Sequence, residues 1–441
     1  MSQHQPISRV TTDDLMSLVS ERSSTPLQVG AVLLLDAQDG LDPAQALDLL
    51  ARRITAVPRL RQRLQNTLVG CGRPIWVDDP SFTITNHLTS LPCPAPGGES
   101  AVMGIAAELI GVRLPRDRPL WAATLVTDTA PGKAALILVF HHVLADGIGG
   151  LGVLASLVDG APEAADAGFP RPGPSRGRLA VEAALGRIRS LGRLPAALRR
   201  LGSAAAELRP AARARVAPTS LNRPTGPRRA FASVRAEVNE VHRVAHAHGA
   251  TVNDVVLTVV ASALHRLLER RGEHADEIVT SVPFSARRQA SGGNLGNQSG
   301  VIPLAIPGVG NPVARLEAVA TLTGAAKQKP PGASTALLGP LFRLLARVGL
   351  YQRFITRQRM IHTFVSTTRG PETRVALFGC PTTGILPLSV PTGNVTVSFV
   401  VLSYAGELGV TIAADPDACP DLAVLRELVA QEFEALEALA E

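Results

Sequence analysis

Lysine is nearly absent from this chain of 441 residues: of 44 basic residues only Lys133, Lys327 and Lys329 are lysines. The formal charge of +7 therefore rests on arginine. With abundant Ala, Gly and Pro, that skew fits GC-rich coding more simply than a nucleic-acid ligand. The anionic partners left open are lipid head groups or a phosphorylated cofactor. Aromatics make up only 3% of the chain, too few to stack a run of bases, which argues against single-stranded nucleic acid. The four cysteines, Cys71, Cys93, Cys380 and Cys419, form no C-x-x-C pair, so no metal site is visible and a reducing cytosol fits them best. No window reaches the roughly 18 uncharged apolar residues that a spanning helix needs. The opening MSQHQPISRVTTDDLM lacks the basic-then-apolar order of a signal peptide. A cytoplasmic location is expected, with peripheral membrane contact open.

Against these absences stands a hydrophobic content of 46%, enough to bury large cores. The length favours two domains. Residues 29–35 read as a strand and 42–57 as a helix, with Asp42 able to cap it, Pro43 at its first position, and Leu47, Leu50, Ile54 and Val57 on one face. Residues 121–127 and 134–140 read as antiparallel strands. Between Arg171 and Arg215 eleven arginines face only Glu182 and Glu207. This stretch reads as a linker leading into basic amphipathic helices at 179–191 and 196–208, either a solvated crossover or a surface for anionic lipid, with Leu179, Leu185 and Leu191 as its apolar stripe. Beyond it come helices at 237–249 and 255–270, the latter capped by Asn253 or Asp254, and a strand at 277–283. A hairpin at 395–413 and a closing helix at 421–439 follow. Both halves mix strands and helices without a βαβ rhythm or G-x-G-x-x-G, so the expected class is α+β. The divisions expected are an N-terminal domain 1–160, a basic crossover 161–225 and a C-terminal domain 226–441.

The segment HHVLADG, residues 141–147, follows the apolar run 134–140. Two histidines at a strand end, with Asp146 and Gly147 close behind, place an imidazole in a water-poor setting. Imidazole is the side chain suited to move a proton near neutral pH. Adjacent strand residues point to opposite faces, so one histidine can meet a substrate while the other packs behind it. On spacing alone a general base, a structural pair and a metal pair all remain open. Metal is the weakest, because the two rings diverge and no third ligand is near in sequence.

HHVLADG resembles the HHxxxDG motif of the acyltransferase superfamily that includes chloramphenicol acetyltransferase and peptide-synthetase condensation domains. The surrounding blocks sharpen the likeness. Thr25 to Gly30, Pro58 to Arg63, Gly72 to Pro80, Arg118-Pro119-Leu120-Trp121, Leu221-Asn222, Gly249 to Val256, Gly296-Asn297-Gln298 and Leu402 to Gly406 all resemble, in order, blocks of the bacterial wax ester synthase/diacylglycerol acyltransferase family.

That resemblance implies two chloramphenicol-acetyltransferase-like domains with an active-site tunnel at their interface, acyl-CoA entering one side and an alcohol or diacylglycerol the other. It implies a wax ester or triacylglycerol product, no covalent acyl-enzyme, and no cofactor or metal beyond acyl-CoA as co-substrate. It makes His142 the general base and His141 a packing residue, with Asp146 paired to Arg287 as structural support and Gly147 forming the turn. Asn253, Asp254, Asn297 and Ser398 are its substrate-binding candidates. An anionic membrane or lipid-droplet surface is the expected partner besides the substrates, and no nucleic acid is expected. The chain departs from the family pattern at Thr367, Thr368 and Arg369, at Ser398, where asparagine is common, and in Thr11 to Asp14. These departures leave open a specialised-metabolite or carrier-bound hydroxyl or amine acceptor, or a non-catalytic lipid-binding relative.

Overall fold

The computed structural model describes residues 7–11, 14–15, 18, 21, 26–144, 147–161, 168–192, 216–285, 299–328, 345 and 348–439. In its first half, strand β1 (Gln28–Asp36) is followed by α1 (Pro43–Thr55), β2 (Gln62–Gln65), β3 (Ile75–Asp78), β4 (Leu88–Pro92), α2 (Gly98–Gly111), β5 (Trp121–Ala130), β6 (Lys133–His141), α3 (Gly147–Ala155) and α4 (Arg176–Gly192). Asp42 caps α1 as its position suggests, accepting from the N–H groups of Ala44 and Gln45, and Pro43 opens the helix. The second half runs β7 (Ala230–Glu237), α5 (Val238–Ala247), α6 (Val252–Arg270), β8 (Glu277–Ser285), β9 (Ser299–Pro307), α7 (Pro312–Lys327), α8 (Tyr351–Ile355), β10 (Thr363–Arg369), β11 (Ala376–Leu377), β12 (Cys380–Leu388), β13 (Val397–Tyr404), β14 (Glu407–Ala414) and α9 (Leu422–Glu437).

Two six-stranded sheets result, ordered β11-β12-β1-β6-β5-β4 and β7-β14-β13-β10-β8-β9. Both mix orientations: β4 runs parallel to β5, and β10 runs parallel to β8 and β13, while the remaining pairs are antiparallel. This is the expected α+β architecture. The runs in β1 and β6 are apolar throughout because their sheet is covered on both faces. Leu33, Leu136 and Leu138 pack with Leu50 and Ile54 of α1, and Val32, Ile137 and Val139 pack with Val102 and Met103 of α2. The second sheet is organised around α6, which is buried from Asp254 to His265 without a break.

One crossing was not anticipated. The expected C-terminal span from 226 onward is interrupted where β11 and β12 leave it to join the first sheet beside β1. Their connecting turn, Phe378-Gly379, has φ of 59° and 76°. The Asp159 carboxylate accepts from both of its N–H groups, at 3.1 and 2.8 Å, and pairs with Arg53 of α1 at 2.6 Å. On the other side Tyr404 of β13 donates its hydroxyl proton to Thr382 O at 3.1 Å and accepts from Val375 N at 2.9 Å. The returning hairpin is thus fastened to both halves.

Two local expectations change. Helix α6 is capped by Thr251, not by Asn253 or Asp254. Asp254 is its third residue and accepts from Thr251 N at 2.8 Å, forming a capping box. In α4 the leucine stripe is split: Leu179 is buried against Cys71, Ile75 and Val77, and Glu182 pairs with Arg9, whereas Val181, Leu185 and Ile188 are exposed. The helix expected at 196–208 lies outside the described residues.

Asp254 also accepts from Thr323 Oγ1 of α7 at 2.7 Å. Asp254→Ala is expected to lower unfolding free energy by about 1–3 kcal/mol, from the lost cap and the stranded Thr323 hydroxyl. Urea denaturation measures the loss, and an unchanged midpoint with a raised KM would return this residue to substrate binding.

Candidate active site

Strand β6 ends in a tightly anchored corner. The His141 N–H donates to Leu120 O and the His142 N–H to Leu27 O, each at 3.0 Å, and the Leu144 N–H closes the turn onto His141 O at 2.8 Å. Gln28 stands opposite His141, and Val29 opposite Phe140. Period-two alternation then sends the two histidines apart. His141 turns to the side where Gln28 is buried and is itself 1% exposed. His142 is half-buried and lines a cavity of about 400 Å³ between the two sheets.

That cavity takes Leu27 just before β1 and Val29 and Ala31 within it, Phe140 of β6 and His142 just after it, Leu151 and Leu154 from α3, and Ile385 to Val390 in part from β12 and beyond. The second sheet supplies the opposite wall. There the pairing of β10 with β8 and β13 aligns Ser281, Phe364 and Ser398 in one row across three strands. Ser366 and Thr368 follow along β10. The lining is therefore aliphatic and aromatic carbon with a scatter of hydroxyls. Among the described lining residues there is no Asp, Glu, Lys or Arg, and His142 is the ionisable side chain. Ser398 is 3% exposed and its Oγ has no hydrogen-bond partner among the described residues. A buried hydroxyl left so is unfavourable unless a ligand atom completes it.

Behind the wall His141 is held at both ring nitrogens. Its Nδ1 accepts from Val143 N at 3.0 Å, and its Nε2 faces Glu21 Oε2 at 3.3 Å, off the line of a good hydrogen bond, so that contact is chiefly electrostatic. Glu21 is 2% exposed and also accepts from Arg116. Burial pushes the Glu21 carboxyl up, but the His141 ring and the Arg116 guanidinium outweigh it and hold the group at about 2, below its ordinary 4.5.

Of the residues proposed from sequence, His142 and Ser398 share the cavity, His141 backs it, and Gly147 begins α3 beside it. Asn253 and Asp254 do not line it; they occupy the first turn of α6, where Asp254 serves the cap. Asp146, Arg287 and Asn297 lie outside the described residues, and with them the expected Asp146–Arg287 pair. Glu21, Arg116 and Ser281 were not anticipated. The hydroxyl positions carry a weak signal in the Thr363–Arg369 strand, whose alternate residues 366 and 368 face one way. Glu21 carries none, since its partners lie 95 and 120 residues away.

The model of the wax ester synthase/diacylglycerol acyltransferase catalytic domain matches residues 10–256, and that of the family's C-terminal domain matches 295–437. The chain belongs to this family. It is 29% identical to a Mycobacterium tuberculosis (strain CDC 1551) protein provisionally named a diacylglycerol O-acyltransferase, over 94% of this chain and 87% of that one. A second such protein, from strain H37Rv, is 31% identical over 70% of this chain and 69% of its own. Among solved structures, the wax ester synthase/diacylglycerol acyltransferase of Marinobacter aquaeolei VT8 superposes with a TM-score of 0.73 at 20% identity, covering 98% of this chain and all of that one. The first condensation domain of the calcium-dependent antibiotic synthetase superposes at 0.66, also at 20% identity, covering 99% and 96%. Both likenesses support the two-domain acyltransferase fold.

The ionised Glu21 stabilises the family fold in this chain above pH 4.5. Because its folded pKa is depressed, that contribution is expected to fade as pH falls from 4.5 to about 2. Urea midpoints of the native protein and Glu21→Gln should accordingly converge across this window. A gap that stays constant from pH 6 to 2 would mean that the buried carboxyl is not ionised.

Proposed function

We propose that this protein transfers a long-chain acyl group from acyl-CoA to the hydroxyl of a neutral alcohol or a diacylglycerol, with His142 as the general base. The observation that carries this reading is the cavity wall, in which one imidazole stands amid apolar carbon and uncharged hydroxyls. An imidazole nitrogen of His142 takes the acceptor's hydroxyl proton while that oxygen attacks the thioester carbonyl carbon. The tetrahedral oxyanion collapses, the C–S bond breaks, and the CoA thiolate leaves with the proton returned from the imidazolium. The acceptor is itself the nucleophile, so no acyl-enzyme forms. The unpartnered Ser398 hydroxyl supports a role in holding a substrate oxygen.

The wall also bears on the acceptor. A primary amine arrives as an ammonium ion and has to lose its charge or be paired with a carboxylate, and among the described lining residues none is available. A neutral hydroxyl meets no such barrier. This favours a wax-ester or triacylglycerol product over an amide or a carrier-bound amine. Following thiol release from palmitoyl-CoA with hexadecanol, dipalmitoylglycerol and hexadecylamine tests this ranking. His142→Ala should reduce turnover by roughly a hundredfold or more at unchanged melting temperature. Turnover retained by a folded His142→Ala protein, or preference for the amine, would refute the reading.

Such lipids are delivered from a surface, and α4 supports docking on an anionic one. Val181, Leu185 and Ile188, spaced along one helix face, are 61%, 47% and 64% exposed. The neighbouring loop adds Leu68 and Val69, and Arg187 Nη2 donates to Gly70 O at 2.7 Å, joining loop to helix. Arg176 and Arg189 flank this apolar patch, and each arginine near an anionic bilayer contributes about 1 kcal/mol. No single described helix is long and apolar enough to cross a membrane. Flotation with phosphatidylserine vesicles should weaken in high salt and fall several-fold in a Leu185→Glu/Ile188→Glu variant whose turnover of detergent-dispersed substrate is unchanged. Equal flotation of both proteins would assign the patch to another contact.

A further inference from the structure

We infer that Glu21 is a positioning residue for the proposed base: by keeping the proton of His141 on Nε2, it leaves Nδ1 to take the Val143 N–H and so fixes the corner from which His142 enters the cavity. The inference rests on the reading of His142 as base. A neutral imidazole has one donor nitrogen and one acceptor nitrogen. Nδ1 of His141 accepts from Val143 N at 3.0 Å, so it carries no proton, and Nε2 must carry it. Nε2 faces the Glu21 carboxylate at 3.3 Å. An anion there favours an N–H pointing toward it and disfavours the other tautomer, in which two lone pairs would face each other.

The consequence passes through the backbone. His142 sits between two anchors, its own N–H on Leu27 O and the next N–H, of Val143, on the ring of His141. Val143 is 2% exposed, so water does not readily replace that ring if it turns. With the proton moved to Nδ1, two donors would meet at Val143 and the corner would have to open. A displacement of about 1 Å at a reacting group lowers turnover by up to about a hundredfold, with little effect on binding of a substrate held mostly by its apolar chain. Arg116, accepted by the same carboxylate and 55% exposed, keeps Glu21 ionised and in place.

Three variants separate this chain of contacts from general packing. Glu21→Leu, close in size and without an acceptor, should lower kcat about tenfold to a hundredfold while KM changes less than about twofold. Glu21→Gln keeps an oxygen for the Nε2 proton and should stay within about threefold of the native kcat. In a His141→Ala background, Glu21→Leu should cause no further loss, because the ring through which it acts is gone. Nitrogen-15 spectra of histidine-labelled protein should show the His141 proton on Nε2 in the native and Gln forms, and a mixture of tautomers in the Leu form. Native kcat in a folded Glu21→Leu protein overturns the inference, as does an equal loss in the His141→Ala background. If Glu21→Leu does not fold, the tautomer in Glu21→Gln still decides, and a proton found on Nδ1 overturns it. Loss of turnover in His142→Ala alongside unchanged Glu21 variants sinks this inference alone, whereas an active His142→Ala protein sinks the base itself.

Discussion

The antiparallel pairing of β1 with β6 is the constraint on which the site depends. Its register, Gln28 against His141 through Asp36 against Lys133, decides which histidine looks into the cavity. A slip of one residue would exchange the two faces, sending His141 inward and His142 toward Glu21. Several features oppose such a slip. Gln28 is fully buried and spends its amide on Ile110 O, Val112 O and Leu114 N, so its side chain cannot be turned to the apolar face without leaving all three groups unpaired. Gly30 admits Leu138 O where a Cβ would lie only 2.2 Å from it. The pairing is thus specified by burial on both faces and by a backbone approach that a larger residue would block.

The return of β12 to the first sheet converts two neighbouring half-molecules into one cavity. Strand β12 contributes Ile385, Pro387 and Leu388 to the cavity wall while Tyr404 of the other sheet holds its backbone. Across the same boundary Glu99 of α2 accepts from Ser233 and Arg235 of β7. Apolar packing between the sheets and these polar ties have different consequences. The first is non-directional and sets the strength of association. The second selects one relative placement, which a site built from both sheets requires.

The chemistry of the wall follows from where charge has been kept out. A protein with 44 basic and 37 acidic residues brings none of its described charged side chains to the cavity lining. Glu21, a buried acid in contact with His141, lies behind the wall and is paired there with Arg116. A low-polarity chamber strengthens each electrostatic interaction that remains in it, here those of one imidazole and a few hydroxyls.

Much of this was legible from local pattern. Period and capping chemistry located β1, α1, β5, β6, α5, the β13–β14 hairpin and α9, because hydrophobic periodicity and turn residues act over a few positions. Strand alternation separated the two histidines of HHVLADG, and the family resemblance pointed to His142, the one that lines the cavity. Long-range pairing was decided only in three dimensions. The exchange of β11 and β12 between sheets involves Leu388 with Gly30, 358 positions apart, and nothing at either position declares the partner. Asp254 was a substrate-binding candidate only through the family resemblance; in the fold it is the third residue of α6, where its carboxylate closes the capping box with Thr251 and accepts from Thr323 of α7. Glu21 looked like any surface acid, and it became part of the corner because folding removed it from water between Arg116 and His141. Sequence by itself determined several of the elements and the class, and marked the histidine pair at the strand end, since those depend on neighbours in the chain. Tertiary structure decided the cavity, its uncharged wall and the support behind His141, since those depend on which distant groups lose their water together.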